Sequence, residues 1–238
     1  MSKSIKFSFA AFAALLMCNL AAAGSITFGN DNNGNCIPLN CNVSGTSSGQ
    51  VIDYQQVYKA PHFGGAVNIS SISFISTGSG DDTLLGGTYK LEWGYAPSNA
   101  LDHLSTTLAT NYSFGGPTVL ETFTVPAGGI KEPSLLTFNG FLFNYNPAIG
   151  DLLLEIIVSN QDNVSLGSPN TGSNEADFFG TQTSRAYCSN TGCVADDEAL
   201  VTEFGAVPVS TTPEPSSLLL FGTCLLGLAP VRRKLLGR

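Results

Sequence analysis

Few residues in this 238-residue chain could carry out acid–base chemistry. Its two histidines, His62 and His103, are the only side chains whose ordinary pKa suits a base at neutral pH. His62 follows Pro61 and precedes Phe63-Gly64-Gly65, and His103 sits in an Asp102-His103 pair expected in a loop. Both read more simply as surface or packing residues than as the base of a Ser–His–Asp triad. Carboxylates are more plentiful. Glu92, Glu121, Glu155 and Glu203 fall in strand-like stretches, and two of them converging across a sheet would form the acid pair of a glycoside hydrolase. Glu92 stands out because Trp93 and Tyr95 follow it. Those two rings alternate along a strand and would project from one sheet face, where they could contact a sugar or pack in a core. Three oxygen-rich loops, Asn30–Gly34, Asp81-Asp82 and Asp196-Asp197-Glu198, could offer ligands to calcium, although each reads more simply as a solvated turn. No other cofactor is expected, and no metal site is assigned to particular residues.

The elements that must position these groups are strands. Short apolar stretches punctuated by Gly, Ser, Thr and Asn predict strands near Ile26–Phe28, Val51–Tyr58, Val67–Ser76, Thr88–Tyr95, Thr118–Val125, Leu135–Phe143, Asp151–Ser159, Phe178–Tyr187 and Leu200–Phe204. Between Leu152 and Val158 the apolar run is nearly continuous, as in a central strand covered on both faces. Strict alternation from Ile69 to Ser76 would put Ile69 and Ile75 on one face and Ile72 and Phe74 on the other. One helical turn is expected at Leu101–Leu108. The pattern predicts an all-β fold, an antiparallel β-sandwich of jelly-roll type.

Both ends of the chain differ from this middle. Lys3 and Lys6, an apolar run from Phe7 to Leu20, and Ala21-Ala22-Ala23 before Gly24 have the three-part form of a secretory signal peptide. At the other end an apolar run from Leu218 to Val231 is followed by Arg232, Arg233 and Lys234. About 14 residues is short against the roughly 20 that cross a bilayer as a helix. The basic stop would stay cytoplasmic, leaving the bulk of the chain outside. Residues 1–23 are therefore read as a signal peptide, 24–206 as the ectodomain, 207–212 as a linker, and 213–238 as a sorting signal with a transmembrane helix.

Between these signals only Lys59, Lys90, Lys131 and Arg185 are basic, against 17 acids, so the mature region carries a net charge of about −13. Four scattered cations cannot neutralise a run of phosphates, which excludes nucleic acid as a partner. The same region holds Cys36, Cys41, Cys188 and Cys193, twice with four residues between neighbours. In an oxidising compartment these read as two disulfides. Local pairs, Cys36–Cys41 and Cys188–Cys193, are favoured, and the two cross-pairings remain open.

Pro213-Glu214-Pro215, the Ser216-Ser217 pair, the apolar stretch and the Arg-rich end together resemble the PEP-CTERM sorting signal of exported bacterial proteins. The resemblance covers about a tenth of the chain. It implies a Gram-negative host that makes exopolysaccharide, and an exosortase, a membrane transpeptidase that removes the tail and releases or attaches the protein. Transient membrane anchoring would then precede residence at the cell surface, in the extracellular matrix or in the medium, with envelope or exopolysaccharide components as partners. Tyr54–Tyr58, Leu104–Leu108, Gly150–Leu154 and Leu200–Phe204 also resemble phrases that recur in exported proteins bearing this tail, implying a shared sandwich scaffold. The reading is a non-enzymatic, structural or carbohydrate-contacting protein. The alternative is a polysaccharide-acting hydrolase with the same sorting signal.

Overall fold

The computed structural model of the protein describes residues 24–30, 33–40, 52–76, 83–98, 104–131, 133–162, 174–177, 181–189 and 192–209. Strands dominate because β-branched and aromatic residues recur at a period of two, which suits a pleated surface with one face dry. The first main sheet has four strands: β1 (Gly24–Phe28), β4 (Val67–Ile75), β9 (Leu135–Tyr145) and β15 (Thr202–Pro208), in the order β1-β15-β4-β9. The second has six: β3 (Ile52–Tyr58), β6 (Gly87–Ala96), β7 (Phe114–Val125), β10 (Asp151–Ser159), β12 (Thr183–Ser189) and β13 (Gly192–Asp196), in the order β13-β12-β3-β10-β6-β7. Two small sheets complete the set. One joins β2 (Asn33–Asn35), β11 (Asn174–Asp177) and β14 (Ala199–Leu200), and the other joins β5 (Thr83–Leu84) to β8 (Ile130–Lys131). Every pairing between these strands is antiparallel.

Side chains from both main sheets share one apolar cluster. Tyr54, Tyr58, Tyr89, Leu91, Trp93, Leu152, Leu154, Ile156 and Val158 enter it from the six-stranded sheet, and Phe28, Ile69, Ile72, Phe74 and Phe204 from the four-stranded sheet. Edge-to-face rings tie the layers, with Tyr58 and Phe204 centroids 4.8 Å apart and Phe28 and Tyr58 5.2 Å apart. Such pairs add to burial because each ring's positive edge meets its neighbour's negative face. One polar group is fully enclosed and fully used. Gln56 donates to the Leu200 carbonyl at 2.8 Å and accepts from the Leu200 N–H at 2.9 Å, stitching β3 to β14 as a ladder partner would.

The expected strands appear, with adjusted ends. The alternation expected along β4 does not hold, because Ile69 and Ile72 both lie in the core. Ser70 is an extra residue relative to β15, a bulge that resets the facing pattern. Opposite it, β9 shifts register around Gly140, whose φ of +91° favours glycine. Of the stretch expected from Phe178, residues 178–180 lie outside the described residues, and β12 runs from Thr183. Of the helical turn expected at Leu101–Leu108, residues 101–103 lie outside the described residues and 104–107 are not helical; 3-10 turns span Leu108–Asn111 and Ala60–Phe63. Val207 and Pro208, read as the start of the linker, complete β15 opposite Asn68 and Val67. A compact unit ends at Pro208, and Val209–Arg238 forms a second unit. The segments expected to form the signal-peptide and transmembrane helices lie outside the described residues. Among the described residues no helix is long and apolar enough to cross a membrane.

Candidate functional site

The outer face of the six-stranded sheet carries an unusual row. Because β6, β10 and β3 pair in register, Glu92, Glu155 and Gln55 stand side by side across three strands. One pleat along, Lys90, Ile157 and Asp53 form the next row on the same face. Residues directly opposite on antiparallel strands have Cβ atoms about 5 Å apart, where like charges repel. Three carboxyl groups therefore crowd a surface that is not open to water, since Glu92 and Glu155 are each only 6% exposed.

Cover comes from the segment Leu104–Ser113, which crosses this face. Leu104 and Leu108 pack in a second apolar cluster with Val57, Ala96, Leu153 and Ala186. As the last residue of the 3-10 turn, Asn111 donates to Gln55 at 2.9 Å and to the Ser105 carbonyl at 2.9 Å, while accepting from the Ser105 N–H at 2.7 Å. Tyr112 then lays its ring on Gly94, where a Cβ would lie 2.4 Å from a ring carbon. Glycine is required here by close approach, because any side chain would lift the ring. From that seat the Tyr112 hydroxyl donates to Glu155 Oε2 at 2.6 Å, and Gln55 donates to Glu155 Oε1 at 2.7 Å.

Electrostatics follow from the enclosure. Burial first, then the charge of Glu155 and a hydrogen bond with it, raise the Asp53 carboxyl from 3.8 to about 7. Glu92 adds to that rise and Lys90 opposes it. Enclosure beside Glu155 thus keeps the Asp53 carboxyl protonated below neutrality. Lys90 pairs with Glu92 at 2.9 Å. Burial pushes the Tyr112 phenol well up, reinforced by its bond to Glu155, so it stays a neutral donor.

Of the four glutamates read as candidates, the fold brings Glu92 and Glu155 together. Glu121 lies on the edge strand β7, and Glu203 belongs to the other main sheet. The Trp93–Tyr95 surface is corrected. Trp93 is 0% exposed, with Phe143 6.0 Å and Phe204 5.8 Å away, so it is core and offers no face to a sugar. Tyr95 is half-buried, stacked 5.6 Å from Tyr145, and its oxygen accepts the Asn146 N–H at 3.0 Å. His62 contacts the Thr27 carbonyl at 3.1 Å and packs on Phe28, an arrangement that fastens β1. His103 lies outside the described residues, as do Asp31, Asn32, Asp81 and Asp82. So does a Gly-x-Ser-x-Gly string at Gly45–Gly49.

In the third oxygen-rich loop, Asp196 and Glu198 are taken up by Arg185. Its guanidinium reaches Asp196 at 2.6 and 3.0 Å and Glu198 at 2.8 Å, and sits 5.1 Å over the Tyr187 ring. Among the described residues no three His, Cys, Asp or Glu side chains are placed to hold a metal ion. Cys188 and Cys193 face each other across β12 and β13 and form a disulfide. Cys36 is disulfide-bonded as well, and Cys41 lies outside the described residues.

Sequence reasoning missed Asp53, Tyr112, Asn111 and Gly94. A usable signal was the single Glu155 inside the apolar run Leu152–Val158, since a buried charge needs partners.

The sorting residues Pro213, Glu214 and Pro215 and the basic stop Arg232, Arg233 and Lys234 also lie outside the described residues. There the family comparison decides. The model of the PEP-CTERM protein-sorting motif matches residues 211–234. The chain carries a PEP-CTERM sorting motif over about a tenth of its length. Neither the curated proteins nor the solved structures yield a match. For this PEP-CTERM protein the motif implies export, membrane-associated sorting and processing by an exosortase.

Proposed function

We propose that this PEP-CTERM protein is a non-enzymatic structural component of the cell surface or exopolysaccharide matrix, released from the inner membrane once its tail is cut. The ectodomain would serve as a rigid β-sandwich of jelly-roll type. The single observation that carries the reading is the sorting motif at residues 211–234, placed directly after an antiparallel, disulfide-bonded β domain. A mature region with about 13 formal excess negative charges supports it, because like-charge repulsion keeps such a domain soluble and non-adhering. Any contact with carbohydrate would use side chains other than Trp93. Fractionation of a native host with intact-mass analysis is the test. The expected product is a matrix or medium species starting at Gly24 and ending near Pro213–Pro215. A matrix-located chain retaining residues through Arg238 would overturn it.

One observation favours a second reading, a polysaccharide-acting hydrolase. Glu92 directly faces Glu155 across two strands, the kind of carboxyl pair such chemistry needs. Against it, Lys90 and Tyr112 occupy the two carboxylates and the strap covers them. Loss of polysaccharide cleavage in both Glu92→Gln and Glu155→Gln, with the fold intact, would establish the hydrolase.

A further inference from the structure

We propose that the Asn111–Tyr112 end of the Leu104–Ser113 segment is a pH-sensitive latch, closed on Glu155 within the crowded carboxyl row and loosened when that row gains charge. The segment has two different attachments. Its first half is fixed by Leu104 and Leu108 on apolar side chains, which do not titrate. Its second half is fixed by Tyr112 on Glu155 and by Asn111 on Gln55, and Gln55 itself donates to Glu155. The fastenings of Asn111 and Tyr112 onto the sheet therefore lead, within two bonds, to the Glu155 carboxylate, while Ser113 beyond them holds the Tyr95 carbonyl through its N–H at 2.7 Å and its hydroxyl at 3.0 Å.

The groups facing Asp53 determine what deprotonation does. Glu155 comes from β10, and Glu92 and Lys90 come from β6. Tyr112 comes from the strap, and Cys188, opposite Asp53 on β12, is disulfide-bonded and does not titrate. With the Asp53 proton in place, the row carries one negative charge fewer, and Lys90 offsets Glu92. Without it a third negative charge appears beside one cation in a dry site. Moving the Tyr112 ring off Gly94 would admit water and let the carboxylates turn apart, which relieves the repulsion. The Tyr112 seat is suited to such motion, since the ring rests on bare backbone and is held at its far end by one hydrogen bond.

The test uses the intact exported protein with its disulfides formed. Amide hydrogen exchange is followed by mass spectrometry from pH 5 to pH 8 and corrected for intrinsic rates. Protection of residues 109–113 should fall about tenfold across this range, while β10 stays unchanged. Asp53→Asn, which keeps the shape and can still donate to Glu155, should flatten the profile in the protected state. Gly94→Ala, which leaves all three carboxyl groups in place, should expose residues 109–113 at every pH. Wild-type protection that does not change with pH would overturn the proposal even if neither variant folds. An Asp53→Asn profile matching the wild type would overturn it too.

Discussion

Glu92 and Glu155 stand directly opposite each other on adjacent antiparallel strands, each almost wholly buried, and neither is left alone. Lys90 answers the first, and Tyr112 with Gln55 answers the second. A like-charge pair in that position is unfavourable on its own. The surrounding donors, and the proton held with Asp53, are what let the sheet tolerate it.

Stability should depend on pH through Asp53. Its carboxyl titrates near 7 in the folded protein and near 3.8 when unfolded. Between those values the native state holds a proton that the unfolded chain has released, so stability falls as pH rises from about 4 to about 7 and then levels off. Thermal unfolding recorded in that window should show the decline. Asp53→Asn should remove most of it and raise the Tm at pH 8. An unchanged slope in the variant would assign the decline to other groups.

Removing the Tyr112 hydroxyl isolates one fastening. Tyr112→Phe keeps the ring over Gly94 but leaves Glu155 Oε2 without its donor, at a cost of about 1–3 kcal/mol. Urea unfolding at pH 7 measures this directly. No change would mean that water replaces the hydroxyl at no cost.

Trp93 should behave as core. Trp93→Ala should destabilise the domain by about 3–5 kcal/mol, because the cavity faces Phe143 and Phe204 on the other side of the core. Its fluorescence should resist an aqueous quencher until the domain unfolds. Ready quenching in the folded state would contradict the buried site.

Non-reducing peptide mapping of the exported protein should recover Cys188 linked to Cys193, as the register of β12 and β13 requires. The expected companion is Cys36–Cys41. A Cys36–Cys193 or Cys41–Cys188 peptide as the main product would contradict local pairing.

Glu214 is the only charge within Pro213-Glu214-Pro215. Glu214→Ala should impair recognition by the exosortase, and a larger species should accumulate in the membrane fraction. Normal release of the variant would move recognition to the apolar stretch or the basic end.

The sequence by itself determined the longer strands and the sorting tail, and favoured the local pairing of Cys188 with Cys193, because each rests on short-range information. Period-two patterning, an ordered trio of motif, apolar run and cations, and a turn between two cysteines can all be read within a few residues. The course of β4 escaped that reading. A bulge at Ser70 is decided by how three strands align, and it turned both Ile69 and Ile72 inward. Trp93 was ambiguous for a related reason, since alternation says which residues share a face but not which face another sheet will cover. The carboxyl cluster was the least legible. Asp53, Glu92, Gly94, Tyr112 and Glu155 come from three strands and a strap spread over about a hundred residues, and the register of β3, β10 and β6 alone made them neighbours. Their interaction exists only after long-range pairing has excluded water, and that is why the tertiary structure alone could decide it.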